Sequence, residues 1–244
     1  MIYITKGREP AELVKYKKNG CSDTDFGFDG VNMPNAVVRT QLLKEQGYLC
    51  AYCMRRLIDD HTKVKIEHYE PRNSVNELDY NNLLAVCNGD VELQQKTLTK
   101  VRRVSCVPMT CDSAKDNTKI SISPLDKVAM EWILYNDGRI SIDKSCPQYD
   151  DYTKDLDVLN LNYELTALYS REKIPGNLIR ARAALYRELK NSFKKACTKG
   201  TKKAVRDYMK KIERLSKNKN ANGEYIEFVG VYQYFVKKHQ KYLA

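Results

Sequence analysis

Glu67 and His68 stand side by side within Lys63–Pro71, and a carboxylate next to an imidazole can hold a hard cation and move a proton near neutral pH. The pair is a weak signal alone; the cysteines around it give it weight. Cys50-Ala-Tyr-Cys53 lies upstream, and Cys87 and Cys111 lie downstream, the last followed by Asp112 and Lys115. With two residues between Cys50 and Cys53, one tight turn brings both thiolates to a single ion about 2.3 Å away. A tetrahedron needs two more ligands. Cys87 and Cys111 are the expected second pair, with Cys106 a competitor because it also follows the polar stretch between them. Four thiolates leave no open position for a substrate, so such a centre is a structural zinc site. Cys21, Cys146 and Cys197 have no partner at ligand spacing and are expected in the core.

These residues must be carried by a soluble scaffold. At 244 residues the chain can bury a substantial core, and no apolar run approaches the roughly 20 residues that span a bilayer. The first residues contain no apolar core of signal-peptide length, which predicts a cytoplasmic address where thiols stay reduced. Lys and Arg number 42 against 31 Asp and Glu, a formal net charge of +11 that suits a polyanionic partner.

The spacing predicts a strand over Met1–Thr5, a helix from Pro10 to Lys17, and a helix from Pro34 to Gln46 ended by Gly47. Val64 and Ile66 alternate as in a strand that Pro71 stops. Met130–Tyr135 and Ile140–Ile142 flank Asn136-Asp-Gly138, a hairpin signal. From about Tyr152 the pattern turns helical, which makes Cys146–Asp151 the expected boundary. Asn162 is expected to cap a helix from Tyr163 to Lys173, broken by Pro175-Gly176. Further helices are expected over Asn177–Cys197, after Gly200, and over Glu224–Leu243, with Arg and Lys dense on their outer faces. The insertion between Cys87 and Cys111 carries Lys96, Lys100, Arg102 and Arg103.

The order of these residues resembles the HNH endonucleases, and more closely the PtuB family of bacterial retron and Septu anti-phage systems. The likeness lies in Ile4-x-Lys6-Gly7-x-Glu9-Pro10, Cys50-Ala-Tyr-Cys53, Ile66-Glu67-His68, Leu78-Asp-Tyr-Asn-Asn82-Leu83 and Leu159-Asn-Leu-Asn162. It implies an α+β fold: an HNH ββα-metal core with a structural four-cysteine zinc site over residues 1–150, then a helical region over 151–244 that binds a partner or nucleic acid. It further implies hydrolysis of DNA or RNA phosphodiesters, with His68 as base, Asn82 holding the His-bearing loop, and Glu67 and Asp112 ligating Mg²⁺ or Mn²⁺. Asp112 departs from the family, which has His or Asn there; Asp116 is the other candidate ligand. Lys115, Arg102 and Arg103 are expected nucleic-acid contacts, while His61 and His239 are not expected in catalysis. The resemblance also implies a PtuA-type ATPase partner and, in a retron, a reverse transcriptase with its RNA/DNA hybrid. No phosphate-binding Gly-x-x-x-x-Gly-Lys-Ser/Thr loop occurs here, so any ATPase is a separate chain. The alternatives are a non-catalytic zinc module that binds nucleic acid and an adaptor of the ATPase.

Overall fold

The structure, a computed structural model, describes residues 1–20, 26–89, 108–166, 173–198 and 201–243. Arg102, Arg103, Cys106 and Cys21 lie outside these residues. The described chain is mixed α+β, with eight α-helices and three two-stranded antiparallel sheets. None of its helices is long and apolar enough to cross a membrane.

Two helices, α1 (Ala11–Asn19) and α2 (Asn35–Glu45), precede the strands that matter most. Val38, Leu42 and Leu43 of α2 are fully buried, and the helix lies against the hairpin of β1 (Val64–His68) and β2 (Leu83–Cys87). The register pairs Val64 with Cys87, Glu67 with Leu84 and His68 with Leu83. Every residue from Leu83 to Val86 is buried, as a strand covered on both faces requires, whereas β1 keeps Lys65 exposed. Gln46 joins the three parts. Its amide donates to the carbonyls of Leu49 (2.8 Å) and Ala85 (2.7 Å) and accepts from the Ala85 N–H (2.7 Å).

The chain leaving β2 and the chain returning to the short helix α3 (Asp112–Lys115) cross at Gly89. A Cβ there would lie 2.2 Å from the Thr110 carbonyl oxygen, and φ is +62°, so only glycine fits without displacement. After α4 (Lys127–Glu131), strands β3 (Ile133–Asn136) and β4 (Arg139–Ile142) form the expected hairpin. Asp137 (φ 45°) and Gly138 (φ 80°) supply its two left-handed turn residues. Then come α5 (Tyr149–Val158), the hairpin of β5 (Glu164–Thr166) and β6 (Lys173–Pro175), and helices α6 (Asn177–Thr198), α7 (Lys202–Lys217) and α8 (Val229–Lys238).

Four expectations fail. Cys197, expected in the core, is exposed near the end of α6. Met1–Thr5 forms no strand; Ile2 and Ile4 are buried, and the segment is tied down by Ile4 N–H on the Pro124 carbonyl and by Met1 on the Tyr135 hydroxyl, but finds no ladder. The helix over Tyr163–Lys173 is replaced at both ends by β5 and β6. Its intended cap is occupied elsewhere: the Asn162 amide accepts from Ile140 N–H (2.9 Å) and donates to the Ile140 carbonyl (2.7 Å). The last helix is only Val229–Lys238, because Phe228 takes a left-handed φ of 54° that ends any helical run before it.

Buried residues from Met1 to Phe235 belong to one hydrophobic cluster, so the core continues across the 146–151 segment. Gln46→Leu keeps the volume but strands the Ala85 N–H and the Leu49 carbonyl in the core, while the Ala85 carbonyl keeps the Ala51 N–H at 3.1 Å. It should cost about 3 kcal/mol of stability in denaturant unfolding of the metal-loaded protein.

Candidate active site and metal centre

The cysteine turn begins where α2 ends. An isolated bridge between Leu49 and Arg56 closes it, Met54 N–H donates to the Cys50 carbonyl (3.0 Å), and Met54 takes φ 64° to complete the reversal. Cys87 arrives as the last residue of β2, and Cys111 immediately precedes α3. The four sulfurs of Cys50, Cys53, Cys87 and Cys111 all lie within 4.8 Å of one another. Neighbouring pairs are 3.7 Å (Cys53–Cys87 and Cys87–Cys111) and 3.9 Å (Cys50–Cys111) apart. Thiolates about 2.3 Å from one tetrahedral ion would be about 3.8 Å apart, so this donor set fits a metal such as zinc.

Charge demands the same. Against burial, which raises it, hydrogen bonds from Cys111, Cys53 and Cys87 hold the Cys50 thiol well below its ordinary value. Cys87, against a contact with Cys111 that lowers it, and Cys111 are both pushed well up by the other sulfurs and by burial, so holding all four as thiolates calls for a cation. Arg182, 1% exposed, brings α6 to the centre. Its guanidinium donates to the carbonyls of Leu178 and Leu161, and the Cys53 and Cys111 sulfurs supply nearby negative charge.

A few residues away is an open cleft of about 430 Å³, lined among others by Lys65, Glu67, His68, Arg72, Asp112 and Asp116. Lys65 and Glu67 share a face of β1 because side chains alternate along a strand. The Glu67 and Asp112 carboxyls are close enough for each to shift the other's proton affinity. Burial first, and then Asp112, push Glu67 up to about 8, with the Lys115 ammonium pulling partly back. Against burial, Glu67 and the Lys65 ammonium at 3.0 Å hold Asp112 below its ordinary value. Two adjacent carboxyls with opposed proton affinities are a donor set that could hold a hard divalent cation. Asp116 lines the same cleft but is exposed; Asp112 is the residue that meets Glu67.

His68 is oriented from behind. A carbonyl can only accept, so His68 Nε2–H donates to the Glu77 carbonyl at 2.9 Å, leaving Nδ1 with its lone pair. Burial lowers the ring's pKa, which keeps it neutral and able to take a proton. Phe28 packs edge-on against the ring with centroids 4.4 Å apart. Asn82, buried at the end of the Tyr80–Asn82 turn, grips the loop after His68: it accepts from Glu70 N–H (2.7 Å) and donates to the Glu70 carbonyl (3.0 Å). Lys6 anchors that turn through the Leu83 carbonyl (3.0 Å), Glu45 (3.3 Å) and the Tyr80 ring.

Lys115, expected at the nucleic acid, is 1% exposed, and its ammonium reaches Glu67 Oε1 (2.7 Å) and the His68 carbonyl (3.2 Å). His61 is exposed in the loop before β1, and the His239 ring lies on Phe235, away from the cleft lining. Two participants escaped the sequence reading. Tyr52, fully buried inside the cysteine turn, donates to Glu67 Oε1 at 3.3 Å, and no spacing signals that reach. Lys65 had a signal, its position two residues before Glu67 on the same strand face.

Comparison with protein-family models finds no match, and comparison with curated proteins finds none either.

Because the sulfur centre joins three separate segments, Cys111→Ser should lower bound metal from one ion per chain to well below one by elemental analysis, with loss of cooperative unfolding. Glu67 carries the pH effect. Its folded pKa (about 8) lies above its ordinary 4.5, so its contribution to stability is full below pH 4.5 and is lost as pH rises through about 8. In Mg²⁺-free buffer the unfolding midpoint should fall across that window, and Glu67→Gln should flatten the fall.

Proposed function

We propose that this chain is a metal-dependent HNH endonuclease that hydrolyses phosphodiester bonds of DNA or RNA, with zinc at the four cysteines. One arrangement carries the reading: the Glu67–Asp112 carboxyl pair opens into the same cleft as a histidine whose Nε2–H is held by the Glu77 carbonyl. The order β1, β2, α3, with the candidate residues on the first strand, the turn into the second and the helix, supports a ββα-metal core.

In this reading Glu67 and Asp112 hold Mg²⁺ or Mn²⁺, which supplies stabilisation of the charge developing on the scissile phosphate and the leaving oxygen. His68 Nδ1 takes the proton from the attacking water, and the Glu77 carbonyl steadies the imidazolium that results. Asn82 keeps the loop behind the ring fixed, so Nδ1 does not swing out of line. Arg72 at the cleft edge, paired with Asp29 at 2.7 Å, is free to exchange that exposed partner for a phosphate oxygen. The resemblance extends the proposal to a cytoplasmic nuclease effector of anti-phage defence, working with a PtuA-type ATPase and, in a retron, with the reverse transcriptase and its RNA/DNA hybrid.

One observation favours the alternative of a non-catalytic zinc module or ATPase adaptor: the Lys115 ammonium already neutralises Glu67. One experiment separates them. Nucleic-acid cleavage by the chain assembled with its ATPase should fall at least about 100-fold in His68→Ala, with metal content and fold unchanged. Undiminished cleavage by that variant would overturn the assignment of His68, and no product from the wild type with any divalent cation would favour the module.

A further inference from the structure

We propose that the exposed face of α6 is a docking track for the phosphodiester backbone of a nucleic-acid strand. The proposal rests on the reading of this chain as one that acts on nucleic acid, and it adds a second contact surface that shares no lining residue with the Glu67–His68 cleft.

Arg180, Arg187, Lys190 and Lys194 are all exposed and line one groove of about 630 Å³. At about 100° per residue they fall within a sector of about 80°, and Arg180 to Lys194 spans about 21 Å of helix. Ala183 and Ala184 line the groove between them and add only methyl groups, so a strand can approach the helix closely. One edge is the β3–β4 turn, pressed so tightly onto α6 that a Cβ on Gly138 would sit 2.1 Å from the Ile179 carbonyl oxygen. Asp137 on that turn is, among the described residues, the sole acid lining the groove. The opposite side of α6 buries Leu178, Arg182 and Leu189, which holds the cationic side facing out.

Four exposed cations gathered in one groove without counter-charges give this face its meaning; Lys202 and Arg206 of α7 also lack carboxylates among the described residues but line a separate cleft. Several cations elsewhere on the surface find acids: Lys65 with Asp112, Arg72 with Asp29, Lys119 with Glu70 and Arg139 with Glu164. Among the described residues Arg187, Lys190 and Lys194 meet no carboxylate, and Arg180 contacts only the neutral Asn177 side chain. Lys190 lies over the Tyr186 ring at 5.9 Å, but a row of like charges without carboxylates repels itself, and a polyanion relieves the repulsion while releasing its counterions.

The test compares two charge-matched triple variants of the full chain, Arg187→Glu/Lys190→Glu/Lys194→Glu on α6 and Lys202→Glu/Lys203→Glu/Arg206→Glu on α7. Binding of a fluorescent 20-nucleotide single-stranded DNA is followed by anisotropy over a series of NaCl concentrations. Every substituted residue is exposed, and circular dichroism and metal content confirm the fold. The α6 variant should bind at least about 10-fold more weakly, with the slope of log K against log salt reduced by about 2, three contacts at about 0.7 each. The α7 variant should keep the wild-type slope. Equal losses in both variants, or none in the α6 variant, overturn the track; so does an α6 variant that keeps DNA binding and instead loses the ATPase, which would assign the face to a protein. Failure of the nuclease reading looks different: wild-type protein that binds through α6 but yields no product retains the track and loses the catalysis.

Discussion

Four sulfurs confined within one small sphere set the geometry on which the rest depends. They come from three places in the chain: the turn after α2, the end of β2 and the residue before α3. Burying them together without a cation drives Cys87 and Cys111 toward the protonated form, and with one it joins segments that no continuous hydrogen-bond ladder connects. The consequence is positional. Cys87 is paired with Val64, three residues before Glu67, and Cys111 is adjacent to Asp112. Fixing the two cysteines brings the two carboxyls face to face.

That meeting is unfavourable by itself. Glu67 is drawn toward its neutral form by burial and by Asp112, and the protein compensates with cations and donors: Lys115 and Tyr52 on Glu67 Oε1, Lys65 on Asp112. Carboxyls held in such opposed environments gather at functional sites. The neighbouring histidine is oriented by neutral groups instead. The Glu77 carbonyl, the Phe28 ring and the Asn82 amide restrain the ring or its loop, while the charges of Arg72, Glu77 and Asp29 also act on it.

Much of the fold was legible because local chemistry and tertiary context agree. Pro34, Val38, Leu42 and Gly47 delimit α2, and Asp137-Gly138 dictates the β3–β4 turn, since few other residues accept two left-handed positions. Agreement failed where a distant group claimed a local signal. Asn162 is a good helix cap in isolation, but the Ile140 peptide takes its amide, and β5 forms where a helix was expected. Ile2 and Ile4 alternate as in a strand, yet alternation specifies only which side chains are buried; a ladder needs a partner strand, which local sequence does not reveal.

The sequence by itself determined the chemistry present: a Cys-x-x-Cys turn and two further thiols, an acid-histidine pair, an acid directly after a cysteine, and a surplus of cations. Spacing suffices there because ligands with two residues between them, or an acid beside its histidine, lie within reach whatever the fold. The tertiary structure decided which groups meet. Asp112 rather than Asp116 joins Glu67, Lys115 turns inward to Glu67 and the His68 carbonyl, Tyr52 reaches across from the cysteine turn, and Arg182 enters the core beside the sulfurs. Those contacts join residues 15 to over 100 positions apart, and only closure of the whole core sets distances between groups so far separated along the chain.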